Sequence, residues 1–201
     1  MSYLQTYFNS LYYSTDMKLI FALGNAEKRY DGTRHNVGFW VADELARKFG
    51  ASYKEKAKFK CYLAEAMVQG QKVLIAKPTT YYNLVGESLQ ALMNFYDLSA
   101  EDVLVLHDDL MLPFGTLRIR TGGSGGGNNG IKSVNQHGGE DTLRLRIGIA
   151  TELREQMGDT DFVLGKFGVS EREVLAKQLA TIEQTVENFL NGELETTTHR
   201  A

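Results

Sequence analysis

Cysteine is almost absent from this sequence of 201 residues, in which Cys61 is the only example. A single cysteine excludes an internal disulfide and a cysteine-rich metal site, and it is typical of a reducing compartment, so we expect the cytoplasm. Long apolar stretches are also missing, because nowhere do eighteen apolar residues follow one another. The sequence therefore predicts no membrane-spanning helix and no membrane partner.

Positive charge is scarce as well. The sequence has 22 Lys and Arg against 25 Asp and Glu, which gives a formal net charge of −3 at pH 7. Proteins that coat nucleic acid without sequence preference depend on a large excess of Lys and Arg. The composition excludes that class, and any contact with RNA must come from a local cluster of basic residues.

Residues 1–16 contain four tyrosines and no Lys or Arg. Signal peptides begin with basic residues and transit peptides contain arginines, so the segment does not match either. It could form a short extra helix, but we favour an N-terminal extension from an upstream start that adds little to the fold. We expect one catalytic domain over residues 17–201, since that length is enough for one substantial core.

Short apolar runs alternate with helical patterns from Met17 onward. KLIFALGN predicts a buried strand, and the spacing from Val37 to Phe49 predicts a helix closed by Gly50. CYLAEAMV and KVLIA predict a hairpin, because the glycine between them allows a tight reversal. A helix over residues 82–96 and an apolar strand VLVLH that ends at Asp108 follow.

The second half contains two alternating strands, TLRIR and LRLRIGIA, and each places its arginines on one face. A glycine-rich segment and a short helix from Ile131 lie between these strands, and a long amphipathic helix follows them. Alternating strands and helices predict an α/β fold, namely a single-domain three-layer sandwich in which helices flank a twisted mixed sheet.

Several polar residues follow predicted strands or begin predicted helices. Ligands of such folds bind beyond the carboxyl ends of the strands, so these residues predict a site there. They are Asn25, His35, Asn83, Asp108 and Asn129.

His35 is the histidine placed best for chemistry, since it immediately precedes a helix that Thr33 or Asn36 could cap. Spacing alone leaves a structural role open. We expect His107, at the end of an apolar strand, to be a hydrogen-bonded structural residue. The remaining two, His137 and His199, are expected in a loop and in solvent.

Asp108 and Asp109 follow the apolar strand directly. A carboxylate there could orient a histidine and stabilise its charged form, or it could cap a turn before Leu112 and Pro113. The sequence leaves both alternatives open. A metal site is disfavoured, because the sequence has no HExxH motif and no clustered third ligand.

The segment TGGSGGGNNGIKS superficially resembles a phosphate-binding loop. Ile131 separates Gly130 from Lys132, so the contiguous Gly-Lys-Ser/Thr of a Walker motif is missing. We expect a flexible loop with accessible backbone N–H groups, although a solvated linker is the simpler alternative.

Six blocks in order resemble the bacterial peptidyl-tRNA hydrolase family. They are LGNxxxxYxxTRHNVGF, KPTTYYNLVGESL, VLVLHDDLMLPFGTLRIR, GGNNGIKS, LRIGI and DFVLGKF. The resemblance runs from about Met17 to the last helix. It implies a monomeric enzyme that hydrolyses the ester between peptide and tRNA without metal or cofactor, and that recycles tRNA from stalled or dropped-off translation products.

The resemblance also implies roles for individual residues. His35 would be the general base, Asp108 would orient it, and Asn25 would complete the catalytic group by binding the peptide or the developing oxyanion. Further residues would bind the acceptor stem and 3′ end of the tRNA, with the arginines and the lysine contacting phosphates. They are Tyr30, Tyr81, Asn83, Asn129, Arg118, Arg120, Lys132 and Arg146, and Arg144 also belongs to the basic patch.

Two positions depart from the family pattern. Ala26 stands where a proline is usual, and Asn128 stands where a histidine is usual, so we expect a looser loop and a weaker hydrogen bond to substrate. Two other functions remain: an RNA-binding protein of this fold without turnover, and a metal-dependent hydrolase unrelated to tRNA. The joint presence of His35, Asp108, Asn25 and Asn83 argues against a pure binder, which needs no base.

Overall fold

The structure is a computed structural model that describes residues 17–200. The predicted N-terminal extension, residues 1–16, lies outside the described residues. The strands are β1 (Met17–Ala22), β2 (Lys54–Lys56), β3 (Cys61–Val68), β4 (Gln71–Pro78), β5 (Val103–Pro113), β6 (Thr116–Thr121), β7 (Leu143–Ala150) and β8 (Thr198–Arg200). The α-helices are α1 (Val37–Lys48), α2 (Val85–Tyr96), α3 (Asn129–Val134), α4 (Leu153–Met157), α5 (Asp159–Leu164) and α6 (Val169–Leu190).

The described strands form one mixed sheet with the order β2-β3-β4-β1-β5-β7-β6-β8. The central strands β4, β1, β5 and β7 run parallel. The outer pairs are antiparallel. Buried parallel strands are apolar on both faces, as in β1, where Leu19 and Phe21 alternate with Ile20 and Ala22 and all four are fully buried.

Each face of the sheet carries its own hydrophobic core. Helices α1 and α6 cover one face, with Val41, Leu45 and Ile182 packed against Ile20 and its neighbours. Helices α2 and α3 cover the other face through residues that include Leu89, Leu92 and Ile131. The predicted α/β fold with helices on both faces of a mixed sheet is confirmed.

Local predictions succeeded where the sequence has a clear turn residue. Gln69 and Gly70 have φ values of 52° and 84° between β3 and β4, the conformation of a tight hairpin, and Gly50 has a φ of 63° after α1. The predicted end of β5 at Asp108 was wrong. The strand continues to Pro113, because β7 still pairs with Asp108 and Asp109 before the register shifts.

Four short elements had no sequence prediction: β2, β8, α4 and α5, each three to six residues long. Helix α3 also begins at Asn129, two residues before the predicted start. In residues 17–200, no helix has the length and apolar character needed to cross a bilayer.

Candidate active site

His35 lies in a single 3-10 turn, Arg34–Asn36, that leads into α1. The helix sits very close to the sheet at this end. A Cβ atom added to Gly38 would lie only 2.6 Å from the backbone oxygen of Leu23 and 2.7 Å from that of Leu106. Glycine at this position therefore permits a close approach that brings His35 to Asp108 in β5.

His35 and Asp108 form a hydrogen-bonded pair. The distance from His35 Nδ1 to Asp108 Oδ2 is 2.9 Å, and the side chains are 16% and 2% exposed. Because a carboxylate accepts, Nδ1–H must donate, which leaves the lone pair on Nε2. Nε2 has no hydrogen-bond partner among the described residues, and this imidazole can accept a proton there.

The second oxygen of Asp108 is also occupied. Its Oδ1 accepts from the Tyr82 hydroxyl at 2.9 Å and from Asn128 Nδ2 at 3.1 Å. The Tyr82 ring stacks on the imidazole of His35, with centroids 3.7 Å apart and planes 26° apart. Burial, and then the negative charge of Asp108, raise the pKa of Tyr82 well above its usual value, so the phenol stays protonated.

Two hydrogen bonds from the side chain of Asn36 fix the backbone of Asn25. The amide of Asn36 accepts from the Asn25 N–H at 2.8 Å and donates to the Asn25 carbonyl at 2.9 Å. The prediction that Thr33 or Asn36 caps α1 was wrong, because Asn36 is committed to this loop and Thr33 Oγ1 donates to the Tyr30 carbonyl. Asn36 instead fixes the backbone of a predicted catalytic residue.

Arg34 anchors the other side of the turn. Its guanidinium donates to both carboxylate oxygens of Glu171 in α6 at 2.9 Å and lies 4.5 Å above the Phe162 ring. The side chain is buried, and the single terminal nitrogen Nη2 makes both contacts in a charge-assisted pair. The contact ties the His35 turn to α5 and α6, and the sequence reasoning did not foresee it.

His35 and Asp108 open into a cavity of about 750 Å³. The structure brings eight predicted site residues to its lining: Asn25, His35, Asn83, Asp108, Arg120, Asn129, Arg144 and Arg146. The glycine-rich residues 122–127 complete the lining, and Gly122, Gly123, Gly126 and Gly127 have positive φ values. Four predicted substrate-binding residues lie outside the lining: Tyr30, Tyr81, Arg118 and Lys132.

The arginines of β6 and β7 share one face, as predicted, since Arg118 pairs with Arg146 and Arg120 pairs with Arg144. Arg146 is 28% exposed and donates from Nε to Asp109 at 2.5 Å. Arg120 donates from one terminal nitrogen to backbone carbonyls. Both therefore keep further N–H groups for a ligand of the cavity.

Arg144 behaves differently. It is 2% exposed and donates to the Gly123 carbonyl, the Asn135 side chain and the Glu140 carbonyl, at distances of 2.6 to 3.0 Å. The residue lines the cavity with little of its surface, and protein oxygens accept from both of its terminal nitrogens, so its contact with phosphate stays a prediction. Arg144 supports the segments on either side of α3.

His107 is buried and donates from Nδ1 to the Asp108 carbonyl at 2.8 Å. Burial lowers the pKa of His107 and keeps the ring neutral. Its predicted role as a hydrogen-bonded structural residue is confirmed.

Asn128 does not offer its side chain to the cavity in the predicted way. Its Oδ1 caps α3 by accepting from the Ile131 N–H at 3.0 Å, and its Nδ2 faces Asp108 and Tyr82. The interpretation of Asn128 as a weakened substrate contact was wrong, because the amide is engaged inside the protein at both ends.

Three kinds of comparison with known proteins point to the same family, and each covers most of the chain. A family model described as peptidyl-tRNA hydrolase matches residues 19–201. A protein named peptidyl-tRNA hydrolase from Chlorobium phaeovibrioides is 45% identical over 178 residues, which are 88% of this chain and 93% of that protein. One of the same name from Geobacillus kaustophilus is 48% identical over 162 residues, 80% and 86% of the two chains. The crystal structure of peptidyl-tRNA hydrolase from Acinetobacter baumannii matches with a TM-score of 0.81 and 33% identity, covering 90% of this chain and 92% of that one.

Proposed function

Since the chain belongs to the peptidyl-tRNA hydrolase family and hydrolyses the ester bond of peptidyl-tRNA, we propose that His35 is the general base of this reaction and that Asp108 orients it. The observation that carries the proposal is the hydrogen bond from His35 Nδ1 to Asp108 Oδ2, which leaves Nε2 free beside the cavity. A base needs both an available lone pair and a fixed ring.

The proposed reaction proceeds in two steps. His35 Nε2 takes a proton from water as the water oxygen attacks the ester carbonyl, which gives a tetrahedral oxyanion and an imidazolium stabilised by Asp108. The oxyanion then collapses and the bond to the ribose oxygen breaks. The imidazolium returns its proton to that oxygen, so the products are the peptide acid and tRNA with a free ribose hydroxyl.

Asn25 and Asn83 are proposed to support the acyl group. Both line the cavity, and the primary amide of each supplies two N–H donors that can reach a peptide carbonyl or the developing oxyanion. The double contact from Asn36 fixes the backbone of Asn25 beforehand. A donor fixed before the reaction stabilises charge in the transition state without having to reorganise.

We propose that the acceptor stem and 3′ end of the tRNA enter past the glycine-rich residues. Asn129, Arg120 and Arg146 line this part of the cavity and supply donors for phosphate and ribose. The other four predicted contacts, Tyr30, Tyr81, Arg118 and Lys132, are proposed to bind the tRNA outside the cavity. Tyr81 is 71% exposed, so its ring is available for stacking on a base.

In the cell, we propose that the protein acts as a monomer in the cytoplasm and recycles tRNA from stalled or dropped-off translation products. The single catalytic domain is proposed to span residues 17–201.

Release of N-acetylated amino acid from charged tRNA tests the proposal, measured with and without chelator for the unchanged protein and for His35→Ala. We expect hydrolysis by the unchanged protein in both conditions and a large loss in the variant. Full activity of His35→Ala would remove His35 from the mechanism. Loss of activity with chelator would support the metal-dependent alternative instead.

A further inference from the structure

The structure assigns to Tyr82 and Asn128 a joint role as positioning residues, which hold Asp108 and through it set the orientation of His35. The inference rests on the proposed function of His35 and Asp108 and adds two residues to which no role in the reaction has been given. Neither residue needs to touch the substrate for this role. Both act by fixing the carboxylate that fixes the base.

Both carboxylate oxygens of Asp108 are occupied. Oδ2 faces His35, while Oδ1 receives the Tyr82 hydroxyl and Asn128 Nδ2. Three hydrogen bonds shared over both oxygens fix the plane of a carboxylate, whereas the bond to His35 alone would leave it free to rotate. With the carboxylate fixed, Nδ1–H of His35 has one acceptor position, and the position of Nε2 follows from it.

The directions of the hydrogen bonds between Asn128, Tyr82 and Asp108 are fixed by the helix cap. Asn128 Oδ1 accepts from the Ile131 N–H, so the opposite end of this amide, which faces Asp108, must be the NH₂ group. This NH₂ lies 3.0 Å from the Tyr82 hydroxyl oxygen and donates to it. The hydroxyl must then direct its own proton elsewhere, and Asp108 Oδ1 is the acceptor in reach. Asn128 therefore orients Tyr82 as well as Asp108.

The Tyr82 ring is packed between His35 and other parts of the protein. The ring stacks on His35 and is only 8% exposed. A Cβ atom added to Gly130 would lie 2.6 Å from Tyr82 Cε1, so α3 packs directly against the tyrosine. The stacked ring limits rotation of the imidazole, and α3 limits movement of the stacked ring.

The same contacts explain why asparagine suits position 128, where the family pattern has histidine. The side chain here accepts one hydrogen bond for the helix cap and donates to Asp108 and Tyr82. A neutral imidazole has one donor and one acceptor and cannot make all three contacts. Asn128→His should accordingly lower kcat.

Tyr82→Phe tests the proposal, because it removes the hydroxyl and keeps the stacked ring. We expect kcat to fall about tenfold, the typical effect of losing a hydrogen bond to a charged group, with KM nearly unchanged. Asn128→Ser, which keeps a capping oxygen and loses the amide donor, should shift kcat in the same direction. Tyr53→Phe is the matched control. It removes a buried hydroxyl that has no hydrogen-bond partner, and it should leave kcat unchanged.

A double-mutant cycle separates positioning from general structural support. In an Asp108→Ala background, Tyr82→Phe should have almost no further effect on kcat, because the carboxylate that Tyr82 holds is gone. An equal loss of kcat in both backgrounds, or a loss expressed mainly in KM, would overturn the positioning role. Failure of the proposed function looks different, since His35→Ala would then retain activity whatever Tyr82→Phe does.

Discussion

The two sides of the catalytic cavity use their polar groups in opposite ways. On the side that we call the histidine wall, formed by His35, Tyr82, Asp108 and Asn128, internal hydrogen bonds saturate the carboxylate and leave one imidazole nitrogen free. On the arginine wall, formed by Arg120, Arg146 and residues 122–127, cationic side chains and glycine backbone keep unused donors.

The difference matches what each wall has to do. General base catalysis depends on a fixed geometry, so mobility of the histidine wall would cost rate. Binding of a polyanion depends mainly on the number and placement of cationic groups and tolerates small shifts. Changes in the histidine wall should therefore affect kcat, and changes in the arginine wall should affect KM and its dependence on salt.

The largest effect is expected from His35→Ala. Loss of the general base should lower kcat roughly 10²- to 10⁴-fold with KM largely kept, as measured by hydrolysis of N-acetyl-aminoacyl-tRNA. His199→Ala is a suitable control, since His199 lies exposed in β8, outside the cavity lining. A change mainly in KM would contradict the division between the two walls.

Asp108→Asn should cost as much as His35→Ala or less. The amide keeps the size of the side chain but no longer stabilises the imidazolium, and it can favour the wrong tautomer of the ring, while the base itself remains. Thermal unfolding should show an intact fold beside the lowered kcat. A raised melting temperature with full activity would instead identify Asp108 as a residue that serves only the turn.

The third effect concerns stability. Arg144 resembles the other arginines in sequence but is buried, and its guanidinium satisfies three oxygen acceptors. Arg144→Met should lower the free energy of unfolding by about 2 to 4 kcal/mol, because those acceptors lose charged hydrogen bonds. Arg118→Met, on the same face but half-buried, should cost much less in the same denaturant titration. Equal losses would show that Arg144 is not a special support of the arginine wall.

Local patterns predicted the three layers, whereas the roles of His35 and Asp108 came from the resemblance to the family. Apolar runs and helical spacing define the central elements, and His35 and Asp108 each stand at a predicted junction of elements. The elements β2, β8, α4 and α5 were missed because three to six residues are too short to show a period.

Tertiary contacts set the limit of sequence reasoning. Tyr81 and Tyr82 are neighbours of the same type, yet Tyr81 is 71% exposed while Tyr82 is buried against His35. The alternating pattern of β7 likewise placed Arg144 and Arg146 on one face. It could not show that the segments around α3 bury Arg144 and leave Arg146 partly exposed. Asn128 was assigned to substrate because it stands where the family pattern has histidine, and its role as a cap was missed because α3 begins two residues earlier than predicted.

The smallest effect is expected for single charges of the basic patch. Binding of tRNA should weaken as salt rises, with a slope that reflects a few phosphate contacts, and Arg146→Gln should reduce that slope by about one unit. Glutamine is chosen because it can still donate to Asp109, which is only 8% exposed and would otherwise lose the partner that holds its second oxygen.

Arg118→Ala removes a charge on the same face but outside the cavity lining, and it too should reduce the slope by about one unit. A change in the first variant alone would confine the phosphate contacts to the cavity, and no change in either would place the tRNA on another face. Since neither substitution touches the histidine wall, kcat at saturating substrate should stay the same in both. A fall in kcat would mean that the arginine wall also positions the ester, and the two walls would then share one task.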